Sequence, residues 1–65
     1  MSANAMQVEA WLAKARGEMA SARANQRRLA AGEGRPWTRD CILHAVQCAR
    51  AARRTARWMR NGGAR

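Results

Sequence analysis

The sequence predicts an all-α chain in which two long helices fold back on each other as an antiparallel hairpin. Three observations carry that prediction. Small and apolar residues recur at alternating steps of four and three over two long stretches, the period of a helix seam. A single turn-forming segment, Gly32-Glu33-Gly34-Arg35-Pro36, separates those stretches. No segment shows the two-residue alternation of a half-buried strand.

Helix one is expected over about residues 4–31. Ser2 and Asn4 are N-cap residue types, and with Asn4 as cap Gln7 falls at N3, completing a weak capping box. The seam runs Val8, Leu12, Ala15, Met19, Ala22, Gln26 and Leu29. Several of these positions are small, which lets another helix approach closely. Gly17 lies off the seam and marks a bend or a close contact, at a cost of about 1 kcal/mol relative to Ala. A helix of this length extends about 40 Å at 1.5 Å per residue.

The loop covers residues 32–37. Gly32 is suited to the left-handed conformation that terminates a helix, and Pro36 disfavours helical geometry at Arg35. Because the loop is short, the second helix returns antiparallel to the first. Helix two is expected over residues 38–60, capped by Thr38, with Asp40 in its first turn where a negative charge suits the dipole. Trp37 and Ile42 are spaced as a hydrophobic staple across that cap. The second seam runs Ile42, Ala45, Ala49, Ala52, Ala56 and Met59, and Asn61-Gly62-Gly63 ends it, leaving residues 61–65 as a frayed tail.

Composition bears on how such a hairpin is stabilised. The chain has 65 residues, enough for one small domain, and no Phe or Tyr. Its sixteen alanines make any core within one copy thin, and chains this short are marginal alone. Cys41 to Cys48 is the most apolar run. There Leu43 and Val46 point away from the alanine seam, so the upper half of helix two is apolar on two sides. A second copy is the simplest cover. The expected dimer interface is Ile42, Leu43, Val46 and Ala49, and two hairpins would form a four-helix bundle.

The net charge is +9, from twelve arginines and one lysine against four acids. That balance points to acidic partners, and arginine over lysine fits bidentate recognition of carboxylate or phosphate. A GC-rich coding sequence also favours Ala and Arg. Arg50, Arg53, Arg57 and Arg60 fall on one line of helix two, with Arg54 beside them; Arg16, Arg23, Arg27 and Arg28 of helix one extend the strip. Cations near a helix C-terminus also simply suit the dipole. Trp58 lies beside Arg54, Arg57 and Arg60, and Trp and Arg are the residue types enriched at binding hot spots. Arg50, Arg53, Arg54, Arg57, Trp58 and Arg60 are therefore the expected partner-binding residues.

Cys41, His44 and Cys48 fall within about 60° on one side of helix two. Their spacing is not that of a familiar zinc site, and seven residues of helical rise, about 10.5 Å, forbids a bond between the two cysteines. The expectation is that both cysteines are small core side chains and His44 a boundary residue, with no metal and no cofactor. A Cys41–His44 nucleophile pair would lack an acidic orienter, since Asp40 points elsewhere, and so short a chain leaves no room for a substrate pocket. No catalysis and no small-molecule substrate are expected. No run reaches the roughly 18–20 apolar residues that span a bilayer, and residues 1–6 do not read as a secretory signal, so a cytoplasmic protein with reduced thiols is expected, without a membrane partner.

In length and composition the chain resembles the small helical proteins with which bacteriophages disable host factors, such as anti-CRISPR and quorum-sensing anti-activator proteins. The resemblance implies a bacterial or phage-infected host cell and a non-catalytic inhibitor or regulator. The function expected is thus a small basic homodimer that blocks an acidic or mixed protein surface through its Arg/Trp residues. The alternative is a nucleic-acid binder that contacts phosphates through the helix-two arginines; no helix-turn-helix or RNA-recognition motif accompanies it.

Overall fold

The computed structural model describes residues 3–63. Two helices account for most of them: α1, Ala3–Ala30, and α2, Thr38–Arg60. They pack side by side along their length as an antiparallel hairpin, with no strand among the described residues. The result is a ribbon one helix thick, 47 × 18 × 11 Å along its principal axes.

The two seams meet as their spacing predicts. Val8 packs with Ala56 and Met59, and Leu12 closes that cluster. Further along, Ala15 packs with Ala49 and Ala52, flanked by Met19. Ala22 and Ala45 are buried as well. Facing alanines let the helix axes approach to about 8 Å, the lower end of the usual range. Gln26 is the seam position that fails: it is exposed, because a polar amide gains nothing from a dry contact. Among the described residues no large side chain is fully buried, so the apolar area holding the hairpin is small.

Both helices end the same way. Gly32 has φ +74°; its N–H donates to the Leu29 carbonyl and that of Glu33 to the Arg28 carbonyl. Gly62 has φ +87°, with Gly62 N–H donating to Met59 and Gly63 N–H to Trp58. Each is a Schellman motif with glycine at C′. Residues 61–63 therefore close α2 rather than fray, and residues 64–65 of the expected tail lie outside the described residues.

The helix starts depart from expectation. Asn4 lies inside α1, and its side-chain Nδ2 donates 3.0 Å to the Met59 carbonyl, tying the start of α1 to the end of α2. The Ser2 cap lies outside the described residues. At α2 the cap position is Trp37, which makes no side-chain cap bond. Thr38 is the first helical residue, and its hydroxyl instead accepts from the Arg35 N–H at 2.8 Å. The reason is Pro36. Arg35 to Thr38 form a type I turn, with Thr38 N–H donating to the Arg35 carbonyl at 3.0 Å and Trp37 at φ −90°, ψ −3°. That turn shifts the cap by one residue and removes the staple register between Trp37 and Ile42. Gly17 has open space around its Cα, so it marks no close contact, and α1 continues unbroken through it.

Candidate functional site: a basic face and a tryptophan face

At 100° per residue, each helix has two flanks beside its seam. Antiparallel packing of right-handed helices brings the flank that follows the seam in angle on α1 to the same side of the ribbon as the corresponding flank of α2. One broad face is therefore built from Leu12, Arg16, Arg23 and Arg27 of α1 together with Ile42, Val46 and the arginines of α2. A cleft of about 230 Å³ lined by Leu12, Arg53, Ala56, Arg57 and Arg60 shows the two flanks meeting.

This face is strongly basic. Arg16, Arg23 and Arg27 join Arg39, Arg50, Arg53, Arg57 and Arg60, all exposed, and Glu9 is the single acid among them. Arg54 lies at its outer margin. The register set by Ala15 against Ala49 and Ala52 puts Arg16 level with Arg50, and Arg23 level with Leu43 and Val46. Like charges so close repel one another unless an anionic partner or solvent answers them. Between the guanidiniums sits an apolar zone in which Ile42 and Val46 are half-buried and Leu43 is 57% exposed.

Three expected site residues fall elsewhere. Ala49 is 0% exposed: it belongs to the hairpin's own seam and has no surface left for a second copy. Arg28 lies on the opposite face, lining a groove with Asn25 and Trp37. Trp58 sits about 100° around α2 from Arg57, and its indole lies over Gly63, where a Cβ would collide with the ring. It thus packs on the α2 terminus, to one side of the arginine strip.

The opposite face carries what the basic face lacks. Trp11 (36% exposed), Trp37 (60%) and Trp58 (58%) all belong to it. A groove of about 390 Å³ runs between the helices there, lined by Glu18, Ser21, Asn25, Trp37, Asp40, Cys41, His44 and Ala45. Glu18 and Asp40 are balanced by Lys14 and Arg28, so this face is close to neutral. Cys41 is exposed and Cys48 half-buried, and neither is a core residue. Cys48 Sγ lies 3.4 Å from His44 Nε2, one helical turn away. Among the described residues no three His, Cys, Asp or Glu side chains converge on a metal-sized site. No described helix is long and apolar enough to cross a membrane.

No family model, curated protein or solved structure matches the chain. The two faces themselves are thus the basis for a functional reading. The pairing of the helices brings Arg16, Arg23 and Arg27 to the α2 strip, as the sequence suggested, and leaves Arg28 out of it. The neutral tryptophan face was missed in the sequence because its residues are divided between both helices and the loop.

Proposed function

We propose that the chain is a non-catalytic binding module that works as a homodimer and covers an acidic, partly apolar surface of another protein with its basic face. The observation that carries this reading is the mixture on that face: exposed guanidiniums from both helices surround Ile42, Leu43 and Val46. A polyanion such as DNA needs only the positive charge and gains nothing from an apolar zone between its phosphates. A protein surface with carboxylates around apolar side chains matches both components, and arginine binds carboxylates in bidentate pairs. Such a module acts by occupying the surface it covers, as an inhibitor or regulator does.

The test compares two labelled probes by fluorescence anisotropy at about 50 and 200 mM salt: a generic DNA duplex, and a helical peptide with glutamates flanking a leucine stripe. The expected result is peptide binding that survives at the higher salt, because its apolar part is not screened. Duplex binding that is tighter than peptide binding, with affinity falling on the order of 10³-fold between the two salts, would instead make the face a phosphate-binding strip.

A further inference from the structure

The basic face leaves unexplained why the opposite face is neutral and aromatic. We infer that the tryptophan face is the homodimer interface: a second copy of this chain docks there, face to face, and leaves both basic faces pointing outward. The inference rests on the homodimer part of the reading above and is independent of what the basic face binds.

Three observations support it. The first is area. The chain exposes 5022 Å², whereas a folded monomer of its mass exposes about 4,100 Å² by the usual surface scaling. The excess, roughly 900 Å², comes from the ribbon shape and leaves surface enough for the roughly 800 Å² that each partner contributes to a standard interface, without choosing a face.

The second is charge. A symmetric interface sets a surface against itself. On the basic face that would press the cluster of Arg23, Arg27, Arg39 and Arg50 around Leu43 and Val46 against the same cluster of the second copy, while the one acid of that face, Glu9, lies level with Arg57 towards the other end. On the tryptophan face Glu18 and Asp40 share the surface with Lys14 and Arg28, so two copies can place opposite charges together. The third is residue type. Trp37 and Trp58 are large, partly rigid side chains left mostly in water by the single copy, and Trp11 is about one-third exposed; aromatic residues are the enriched anchors of protein interfaces. Trp37 stands near the loop end of the ribbon and Trp11 and Trp58 near the termini end, with the groove around Ser21 and His44 between them. An anchor at each end and a groove between them is a surface on which a second ribbon can seat along its length.

Sedimentation equilibrium of the full chain tests this with one variant on each face. Ser21 is exposed at the middle of the tryptophan face, so Ser21→Arg places a bulky cation in the proposed interface without touching the seam. The expected result is a wild-type dimer whose dissociation constant rises at least tenfold in Ser21→Arg, with helicity retained, and is unchanged in Leu43→Arg. Wild-type tryptophan emission is expected to shift to the blue as concentration rises through the dimerisation range. A wild-type chain that stays monomeric at high micromolar concentration overturns the homodimer reading as a whole. A dimer insensitive to Ser21→Arg, with no emission shift, overturns only the assignment of the face.

Discussion

The two faces of the ribbon rest on the same seam and differ in almost everything else. One gathers Arg16, Arg23, Arg27, Arg39, Arg50, Arg53, Arg57 and Arg60 against Glu9 alone. The other mixes Glu18 and Asp40 with Lys14 and Arg28 and carries the three tryptophans. A like-charged surface disfavours its own copy and favours an anionic stranger. A neutral aromatic surface tolerates a copy of itself. The lesson is that a chain with a core this thin can divide its unused surface between two kinds of association by separating charge across a ribbon one helix thick.

The most drastic way to break the comparison is to remove the seam beneath both faces. Ala49→Glu would bury an unpaired carboxylate at a fully enclosed position, at a cost of several kcal/mol, comparable to all the stability so small a domain has. The expected outcome is loss of helical circular dichroism and of every binding activity together. Retained helicity would mean that α1 and α2 are not held by this seam.

A more selective change separates the faces. Arg53→Glu with Arg57→Glu reverses charge at two exposed positions on the basic face. Binding to the acidic peptide should fall at least 100-fold at about 50 mM salt, the range expected for removing two charge-assisted contacts and adding two repulsions. Thermal stability should move by less than about 0.5 kcal/mol, as is usual for surface sites. Unchanged peptide affinity would return these arginines to a solvated surface.

Trp37→Ala probes the other side. The ring is 60% exposed and makes no cap bond, so the hairpin should lose no more than about 1 kcal/mol. Peptide binding should be unaffected while self-association weakens several-fold, which titration by both assays would show. The smallest expected effect is Gly17→Ala. With open space around Gly17 in mid-helix, the substitution should raise stability by up to about 1 kcal/mol in chemical denaturation and leave both faces unchanged. Destabilisation there would reveal a close approach that the single copy does not contain.

The helices themselves were legible in the sequence because the period of a helix is local. Val8, Ala15 and Ala22 on α1, and Ala45, Ala49, Ala52, Ala56 and Met59 on α2, announce their burial by spacing alone. The glycine ends were legible for the same reason: a left-handed residue after a helix is a matter of one residue's backbone, and Gly32 and Gly62 supply it. The start of α2 was less so. Thr38 has the chemistry of a cap, but whether it caps depends on the turn before it, and the turn at Arg35-Pro36-Trp37 put the hydroxyl to work on Arg35 instead.

The sequence by itself determined two helices, their lengths, their seams and the hairpin that joins them, since each follows from interactions within a few residues along the chain. The tertiary structure decided which side of the ribbon every remaining residue occupies. A helical wheel gives angles only relative to its own helix; a face common to two helices exists only once their seams are set against each other and their directions opposed. That step sent Arg23 and Arg27 to the arginines of α2, sent Arg28 to the groove with Trp37, closed Ala49 inside the seam, and made one thin hairpin a molecule with two different surfaces.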